Sequence, residues 1–169
     1  MVLKIYMRIT SRKHGAIEGE SNQEGREKLI VCYGVKHDIE LARDTQTGLP
    51  AERALHHPVV VSTAPGSHTP GIARACEAAD PVDVQIVMYR INRMGEEEEY
   101  LKICLSAALV VANRVRFREI ALEENRACEH VEDISFVCDK VVWAHTPPRM
   151  PSTEVEGPRG QPATVTSGR

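Results

Sequence analysis

The sequence predicts a mainly β protein, an antiparallel β-barrel with one short flanking α-helix and a disordered C-terminal tail. Apolar and polar residues alternate in several stretches of 1–146, which is the period of half-buried strands. Helical spacing of apolar residues is convincing in a single short segment. The last stretch, 147–169, contains five of the ten prolines and no aromatic residue, a composition that buries too little apolar surface to fold by itself. We therefore expect one domain at 1–146 and a disordered tail at 147–169.

The composition argues against several classes of partner. The formal net charge of −3 gives no general reason to expect binding to nucleic acid or to an anionic membrane surface. No run of about 18 apolar residues occurs, so no membrane insertion is expected. The N-terminus alternates apolar and polar residues and lacks the unbroken apolar stretch of a secretory signal, which predicts a cytoplasmic start. Five cysteines without a C-x-x-C spacing predict reduced, mostly buried thiols.

The first part of the chain predicts three strands and a long loop. Residues 3–9 alternate cleanly, and 27–39 is rich in valine, isoleucine and tyrosine. Residues 40–57 carry a Gly-Leu-Pro sequence in their middle and show little alternation, which indicates a loop. Loops of this length in a compact domain are usually functional or disordered. Strand character returns at 58–61.

One helix is predicted at 69–79. Thr69 is expected to cap it and Pro70 to occupy its first helical position, while Asp80 and Pro81 end it. The helix is short, so we expect it to close an end of the barrel or to cover its side. Its apolar face is formed by Ile72, Ala75, Cys76 and Ala79.

From residue 82 onward the sequence predicts a series of consecutive strands. The runs 82–93 and 97–112 are joined by a Met-Gly-Glu turn, which is a hairpin signal, and further strands are expected at 113–122 and 131–145. The odd positions of 101–111 form a continuous apolar face that predicts a core. The even positions of this run form the alternate face, which mixes polar and apolar residues and is not expected to be a core. The C-terminal half of that face nevertheless carries fewer charges than most strands in contact with solvent.

No motif predicts catalytic residues, a cofactor or a metal ligand. The sequence has no nucleophile elbow, phosphate loop or dinucleotide fingerprint. His56 and His57 are adjacent and point to opposite sides of an extended chain, so they are interpreted as loop polarity. The carboxylates of 96–99 are interpreted as a solvated hairpin end rather than a cation site. A stripe of three arginines is either solvated or turned toward a partner: Arg114, Arg116 and Arg118.

Several short motifs within 1–146 carry a family resemblance. They are Ile17-Glu18-Gly19-Glu20-Ser21, Gly25-Arg26-Glu27, Asp44-Thr45-Gln46-Thr47-Gly48, Arg53 with His57-Pro58, Thr69-Pro70, Ala75-Cys76, Tyr89-Arg90-Ile91-Asn92, Gly95, Glu99-Tyr100, and Glu129-His130-Val131-Glu132-Asp133-Ile134 followed by Trp143. In this order and spacing they resemble the haemolysin-coregulated protein family (Hcp), the inner-tube protein of type VI secretion systems. One departure lies at 62–67, where many relatives have Lys and Asp.

The resemblance implies a structural protein rather than an enzyme, with a β-barrel and one flanking helix. Similar proteins form homohexameric rings that stack head to tail into a hollow tube and carry small effectors in its lumen. A contracting sheath expels them without a signal peptide, so the expected location is the cytoplasm before firing and the outside afterwards. The implied partners are further copies of the chain, type VI effectors, and spike and sheath components.

Two groups of site residues are expected on this basis. The first is a ring-stacking loop, motivated by the length of 40–57 and by its family likeness: Asp44, Thr45, Gln46, Thr47, Gly48 and Arg53. The second is a wall facing the lumen, on the alternate face of the strand at 97–112 and on the second strand: Lys102, Ser106 and Cys32. The main alternative function is a monomeric β-barrel module that binds a small molecule or a protein. A third is a hydrolase, for which no spacing offers support.

Overall fold

A computed structural model describes residues 4–41, 43, 48, 54–117, 130–138 and 140–145, together with the backbone of 153–156 and 164–166. These residues form strands and a helix in the order β1 Lys4–Ser11, β2 Gly15–Ile17, β3 Ile30–Lys36, β4 Ile39–Glu40, β5 Leu55–His56, β6 Val59–Thr63, α1 Thr69–Glu77, β7 Val82–Ile91, β8 Glu97–Arg116, β9 Val131–Val137, β10 Lys140–His145, β11 Thr153–Glu156 and β12 Thr164–Thr166.

Six strands close an antiparallel barrel. β8 pairs with β7, β7 with β1, β1 with β3, β3 with β6 and β6 with β9, and β9 pairs back to β8. β2 forms a hairpin with β1, and β10 pairs with the first part of β8. The predicted antiparallel barrel with a flanking helix is confirmed.

The interior of the barrel is occupied by its own side chains. Alternate residues of each strand point inward, so Met7 and Ile9 of β1 and Ile86 of β7 are fully buried. Phe136 of β9 is the largest of the fully buried side chains. A small barrel of this kind is a packed core rather than a channel.

β8 is one strand of 20 residues, so the prediction of separate strands at 97–112 and 113–122 is wrong. Its first part pairs with β7 and β10, and its second part pairs with β9 from Leu109 opposite Val137 to Arg116 opposite Val131. The strand continues past 113 because β9 supplies hydrogen-bonding partners there. The residues after 117, up to 129, lie outside the described residues.

A β-bulge at Ala107 exchanges the inner and outer sides of β8. Ala107 has φ of 51°, and its N–H donates to Asp83 Oδ1 at 2.9 Å. Leu105 is buried before the bulge, whereas Ala108 and Val110 are buried after it. The predicted core face on odd positions is therefore correct up to Leu105 and wrong beyond it, because the extra residue resets the alternation.

A second irregularity lies at Val111. Val110 is opposite Phe136 and Ala112 is opposite Ser135, so Val111 has no residue of β9 directly opposite it. Its side chain is 49% exposed. β8 therefore contributes to the core on both sides of the Ala107 bulge, through Leu105 before it and through Ala108 and Val110 after it.

The N-cap of α1 lies one position before the predicted one. His68 is the N-cap residue and Thr69 is the first helical residue, so the predictions that Thr69 caps the helix and that Pro70 is its first helical residue are wrong by one position. The Thr69 hydroxyl is instead used in a contact with Glu132, where it donates to Oε2 at 2.7 Å. The buried face of the helix is Ile72 and Ala75, which packs against the barrel beside β8.

Two short strands lie within the predicted tail. β11 pairs antiparallel with β10, with Val141 opposite Val155, and β12 pairs with β11. The sequence predicted no order there, so the pairing of these residues was missed. The rest of 147–169 lies outside the described residues, and a disordered tail beginning at 147 stays a prediction.

Among the residues that the structure describes, no helix combines the length and the apolar character needed to cross a bilayer.

Candidate functional site

A narrow ribbon, formed by β4 and β5, closes the base of the loop at 40–57. It contains two residue pairs, with Ile39 opposite His56 and Glu40 opposite Leu55. Of the six predicted stacking residues, Gly48 is described, and its φ of 70° is one that glycine adopts without strain. The other five lie outside the described residues: Asp44, Thr45, Gln46, Thr47 and Arg53. Their role stays a prediction.

The ribbon exposes aliphatic side chains to solvent. Ile39 is 46% exposed, Leu41 is 54% exposed and Leu55 is 49% exposed. Ile39 and Leu41 alternate onto one side of the extended chain, whereas Leu55, opposite Glu40, lies on the other side of the ribbon. All three adjoin the loop that the sequence predicts to mediate stacking.

A stack of three rings lies beneath the ribbon; we call His37, His56 and Trp143 the histidine–tryptophan stack. The His37 ring lies 5.8 Å from Trp143, centroid to centroid, with 9° between the planes, and 5.5 Å from the His56 ring. Burial lowers the pKa of His37, and the neighbouring charge of His56 lowers it further. Burial also lowers the pKa of His56. Both rings therefore favour the neutral form.

The second histidine of the predicted pair points elsewhere. His57 Nε2 lies 3.4 Å from Glu40 Oε2. The backbone N–H of His57 donates to the backbone carbonyl of Asp38 at 3.0 Å. Adjacent residues on the extended chain thus serve different contacts, with His56 packed against rings and His57 near a carboxylate. Within the described ranges, no group of three or more His, Cys, Asp and Glu side chains is arranged to hold a metal ion.

A buried polar cluster anchors the start of α1 to the barrel; we call His68, Thr69, Asn113 and Glu132 the helix anchor. His68 and Glu132 are 4% and 0% exposed, and His68 Nε2 lies 3.2 Å from Glu132 Oε2. Burial by itself would raise the pKa of Glu132. The hydrogen bond from Thr69, together with His68 and Asn113 beside the carboxylate, outweighs burial and lowers that pKa. The carboxylate is thereby held ionised beside the N-terminus of the helix, where the macrodipole also favours it.

The three predicted lumen-wall residues do not share one surface. Ser106 is exposed, and Lys102 is half-buried with its Nζ 2.9 Å from Glu99 Oε1. Cys32 is 5% exposed within the core, where burial raises the pKa of its thiol to about 12. The assignment of Cys32 to the wall is therefore wrong. The solvent-facing positions of β3 are its neighbours on either side, Val31 and Tyr33.

The carboxylates at the start of β8 have cationic partners. Glu97 lies 2.7 Å from Arg26 and 3.2 Å from Lys4, and Glu98 lies 2.8 Å from Arg90. The interpretation as a purely solvated hairpin end is therefore incomplete, because these side chains tie the strand to its neighbours.

Arg26 is a residue whose role the sequence did not predict. Its guanidinium lies 3.5 Å from the centroid of the Tyr89 ring and 5.1 Å from that of Tyr6, in addition to its contact with Glu97. Cation–π contacts and an ion pair together fix the connection between β2 and β3 on the barrel. In the sequence, Arg26 stood out only as part of the Gly25-Arg26-Glu27 motif of the family resemblance. That motif gave no indication of the contacts with Tyr89 and Glu97.

The arginine stripe is partly engaged within the chain. Arg116 pairs with Asp133 of β9, which also accepts a hydrogen bond from Ser62 at 2.6 Å. Arg114 is exposed and Arg118 lies outside the described residues. Phe117, 66% exposed, contacts the ring of His130 at 4.7 Å between centroids. This end of β8 combines charge with an exposed aromatic ring, so the choice between a solvated and a partner-facing stripe stays open.

The fold defines a class: small closed antiparallel barrels with a flanking helix and a projecting ribbon. The family described as "Type VI secretion system effector, Hcp" matches residues 6–145, and the chain belongs to that family. Its curated relatives include the major exported protein of Pseudomonas aeruginosa strain PAO1, 28% identical over 155 residues that cover 86% of this chain and 90% of that protein.

Solved structures agree with this fold. A structure of the Hcp1 protein from Escherichia coli EAEC 042 has a TM-score of 0.80 at 18% identity and covers 92% of this chain and 99% of its own. The secreted protein Hcp3 from Pseudomonas aeruginosa has a TM-score of 0.74 at 24% identity and covers 92% and 98%. The predicted family is confirmed.

Proposed function

We propose that this chain is the ring-forming subunit of a type VI secretion tube. Six copies form a closed head-to-tail ring, rings stack into a hollow tube, and the tube leaves the cytoplasm through the secretion machine with small effectors in its lumen. Each subunit presents a different surface to each neighbour, because head-to-tail contacts close into rings when the rotation permits. The family match over the whole barrel, residues 6–145, carries the proposal.

The packed interior of the barrel favours an assembly role over the alternative of a binding module. Side chains such as Phe136, Ile86 and Ile103 fill the barrel at 0% exposure. A ligand inside the subunit would have to displace them, whereas an assembly role uses the outer surface. The exposed side chains of Val111 and Phe117 lie on that surface, where contacts between copies would form.

The ribbon and its loop are proposed as the stacking element. The exposed side chains of Ile39 and Leu41 extend the predicted stacking surface from the loop onto its base. Burying them against the next ring removes apolar surface from water, which favours association. Loop residues such as Asp44 and Arg53 then provide polar contacts.

The outer face of β8 is proposed to line the lumen and to contact effectors. Ser106 and Lys102 remain the marker positions, and Cys32 no longer belongs to this set. Placing a large charged residue at Ser106 should leave ring assembly intact and reduce effector co-purification. Retention of effectors in that variant would count against a wall at this position.

The ring is tested on the purified full-length chain by light scattering coupled to size exclusion and by negative-stain imaging. A closed ring, with six-fold symmetry in projection, is the expected result. A matched variant in which 42–53 is replaced by a short Gly-Ser turn should still form single rings but no stacked tubes. A strictly monomeric species at micromolar concentration in mild salt would overturn the proposal and favour a binding module.

A further inference from the structure

The ribbon at the loop base depends on side-chain packing for its closure. β4 and β5 contribute two residue pairs, which is far less than a hairpin needs to be stable by itself in water. The rings of His37, His56 and Trp143 supply the packing, and Trp143 belongs to β10, which pairs with β8 of the barrel. Two imidazoles therefore pack the base of the loop against the strands of the main sheet.

The surroundings of these imidazoles make a positive charge unfavourable. His37 Nδ1, His56 Nε2 and Trp143 Nε1 are buried without hydrogen-bond partners among the described residues. Protonation of one ring brings a cation to within 5.5 Å of the other ring, between centroids. Two like charges at this separation and partly out of water repel strongly.

Among the described residues, the charged groups that face the stack do not offset this repulsion. His57 and His56 both oppose a proton on His37, and Asp38 favours one. Asp38 is already paired, since its Oδ2 lies 3.1 Å from Lys36 Nζ. Glu40 lies beside His57 rather than beside the stack. From β10 the neighbour is Trp143, which carries no charge.

We propose that the histidine–tryptophan stack is a proton-operated clasp: it holds the base of the loop closed when His37 and His56 are neutral and releases it when they take up protons. The closed ribbon binds fewer protons than the open one, so acidification favours opening. The change begins as the pH falls below the ordinary histidine pKa of 6.5 and is completed below the lowered values in the stack. The consequence for stacked rings rests on the proposed function of the loop.

The clasp is tested on the full-length chain by hydrogen exchange of peptides spanning 38–57, between about pH 7.5 and pH 5. Rates are corrected for the intrinsic pH dependence of exchange. Protection in 38–57 should fall about tenfold or more on acidification, while β1 and β7 keep theirs. Fluorescence of Trp143, the only tryptophan in the sequence, reports on its stacked partner in the same samples.

Variants separate the clasp from general acid sensitivity. In the double variant His37→Asn, His56→Asn the pH response of 38–57 should disappear, whereas His14→Gln, at an exposed turn, should leave it unchanged. The single variant His56→Gln keeps the contact between the His37 and Trp143 rings and removes the charge that His56 would carry. The fluorescence midpoint should then move to higher pH. This variant remains informative if the double variant loses protection in β1.

Two results would overturn the clasp: protection in 38–57 that is independent of pH in the unmodified chain, or an unchanged pH response in the double variant. Imaging of tubes over the same pH range separates this from the function of the loop. If the ribbon opens in acid while tubes persist, the clasp stands and the stacking role of the loop fails. If tubes dissociate while the ribbon stays protected, the clasp fails and stacking depends on other groups.

Discussion

The barrel contains two histidine sites whose neighbours differ in kind. His68 in the helix anchor is 4% exposed and faces the carboxylate of Glu132 at 3.2 Å, whereas His37 and His56 are half-buried and face rings. The rings of the loop end make a positive charge on His37 and His56 unfavourable, whereas the helix end is built around an ionised carboxylate. Acid is therefore expected to act on the loop end through its imidazoles and on the helix end through Glu132. Burial alone does not determine which group at a site responds to pH.

The largest effect is expected from breaking the helix anchor. Glu132→Gln removes the buried charge that faces His68 and the strongest acceptor for the Thr69 hydroxyl. Loss of the charge-assisted hydrogen bond at this buried site is expected to cost about 1.5–3 kcal/mol of unfolding free energy, measured by urea denaturation at neutral pH. Glu18→Gln, which breaks the exposed pair with Lys28, is the matched control and should cost less than about 1 kcal/mol. Similar losses in both variants would refute the contrast between buried and exposed pairs.

Acid should weaken the same anchor, and at a lower pH than it opens the ribbon. The pKa of Glu132 is lowered, so its carboxylate stabilises the fold fully above the ordinary value of 4.5, and this contribution is lost as the pH falls from there through the lowered value. Melting temperature measured against pH should therefore be flat through the region near pH 6 and fall below about pH 4.5. The Glu132→Gln variant should show a smaller decline. A steep decline already near pH 6 would mean that the clasp residues, not the anchor, control global stability.

Replacing the histidine of the anchor should have an intermediate effect. In His68→Gln an amide can still reach Glu132, so we expect a loss of about 0.5–1.5 kcal/mol, smaller than that of Glu132→Gln. Urea denaturation at neutral pH is the measurement. A loss as large as that of Glu132→Gln would show that the imidazole contributes as much to the anchor as the carboxylate does.

The smallest effect is expected at the loop end. His56→Gln lies on a two-residue strand outside the barrel, so it should change the global unfolding free energy by less than about 0.5–1 kcal/mol at neutral pH. Thermal denaturation of the barrel is the measurement. A large loss would show that the ribbon is part of the cooperative core, and the two histidine sites would then belong to one folding unit.

The barrel and its helix could be predicted from sequence because period-two and helical patterns report which face is buried. The Ala107 bulge could not, because an alanine carries no turn signal and its positive φ arises from Asp83 and the neighbouring strand. The helix cap was misplaced since Thr69 is a preferred cap residue, yet its hydroxyl is used by Glu132.

The sites were harder to predict because they depend on contacts between residues far apart in sequence. His37 meets Trp143 through the closure of the barrel, and nothing near either residue indicates the other. Cys32 was misassigned because the predicted strand began at 27, whereas β3 begins at Ile30. The predicted boundaries did not determine which side chains of the strand point inward, since a shift of one residue exchanges the inner and outer faces. The family resemblance pointed to the loop region. It could not indicate that His37, His56 and Trp143 pack at the base of that loop.

The Ala107 bulge also bears on where the chain tolerates a change of length. One residue added or removed between Ile103 and Ala108 would exchange the inner and outer faces of the rest of β8 and expose Ala108 and Val110. The turn at 92–95 carries no such constraint, since Met94 is 86% exposed and Gly95 completes a tip beyond the last strand pair. Gaps in alignments of relatives should therefore fall at that turn, and an inserted epitope tag belongs there rather than in the strand.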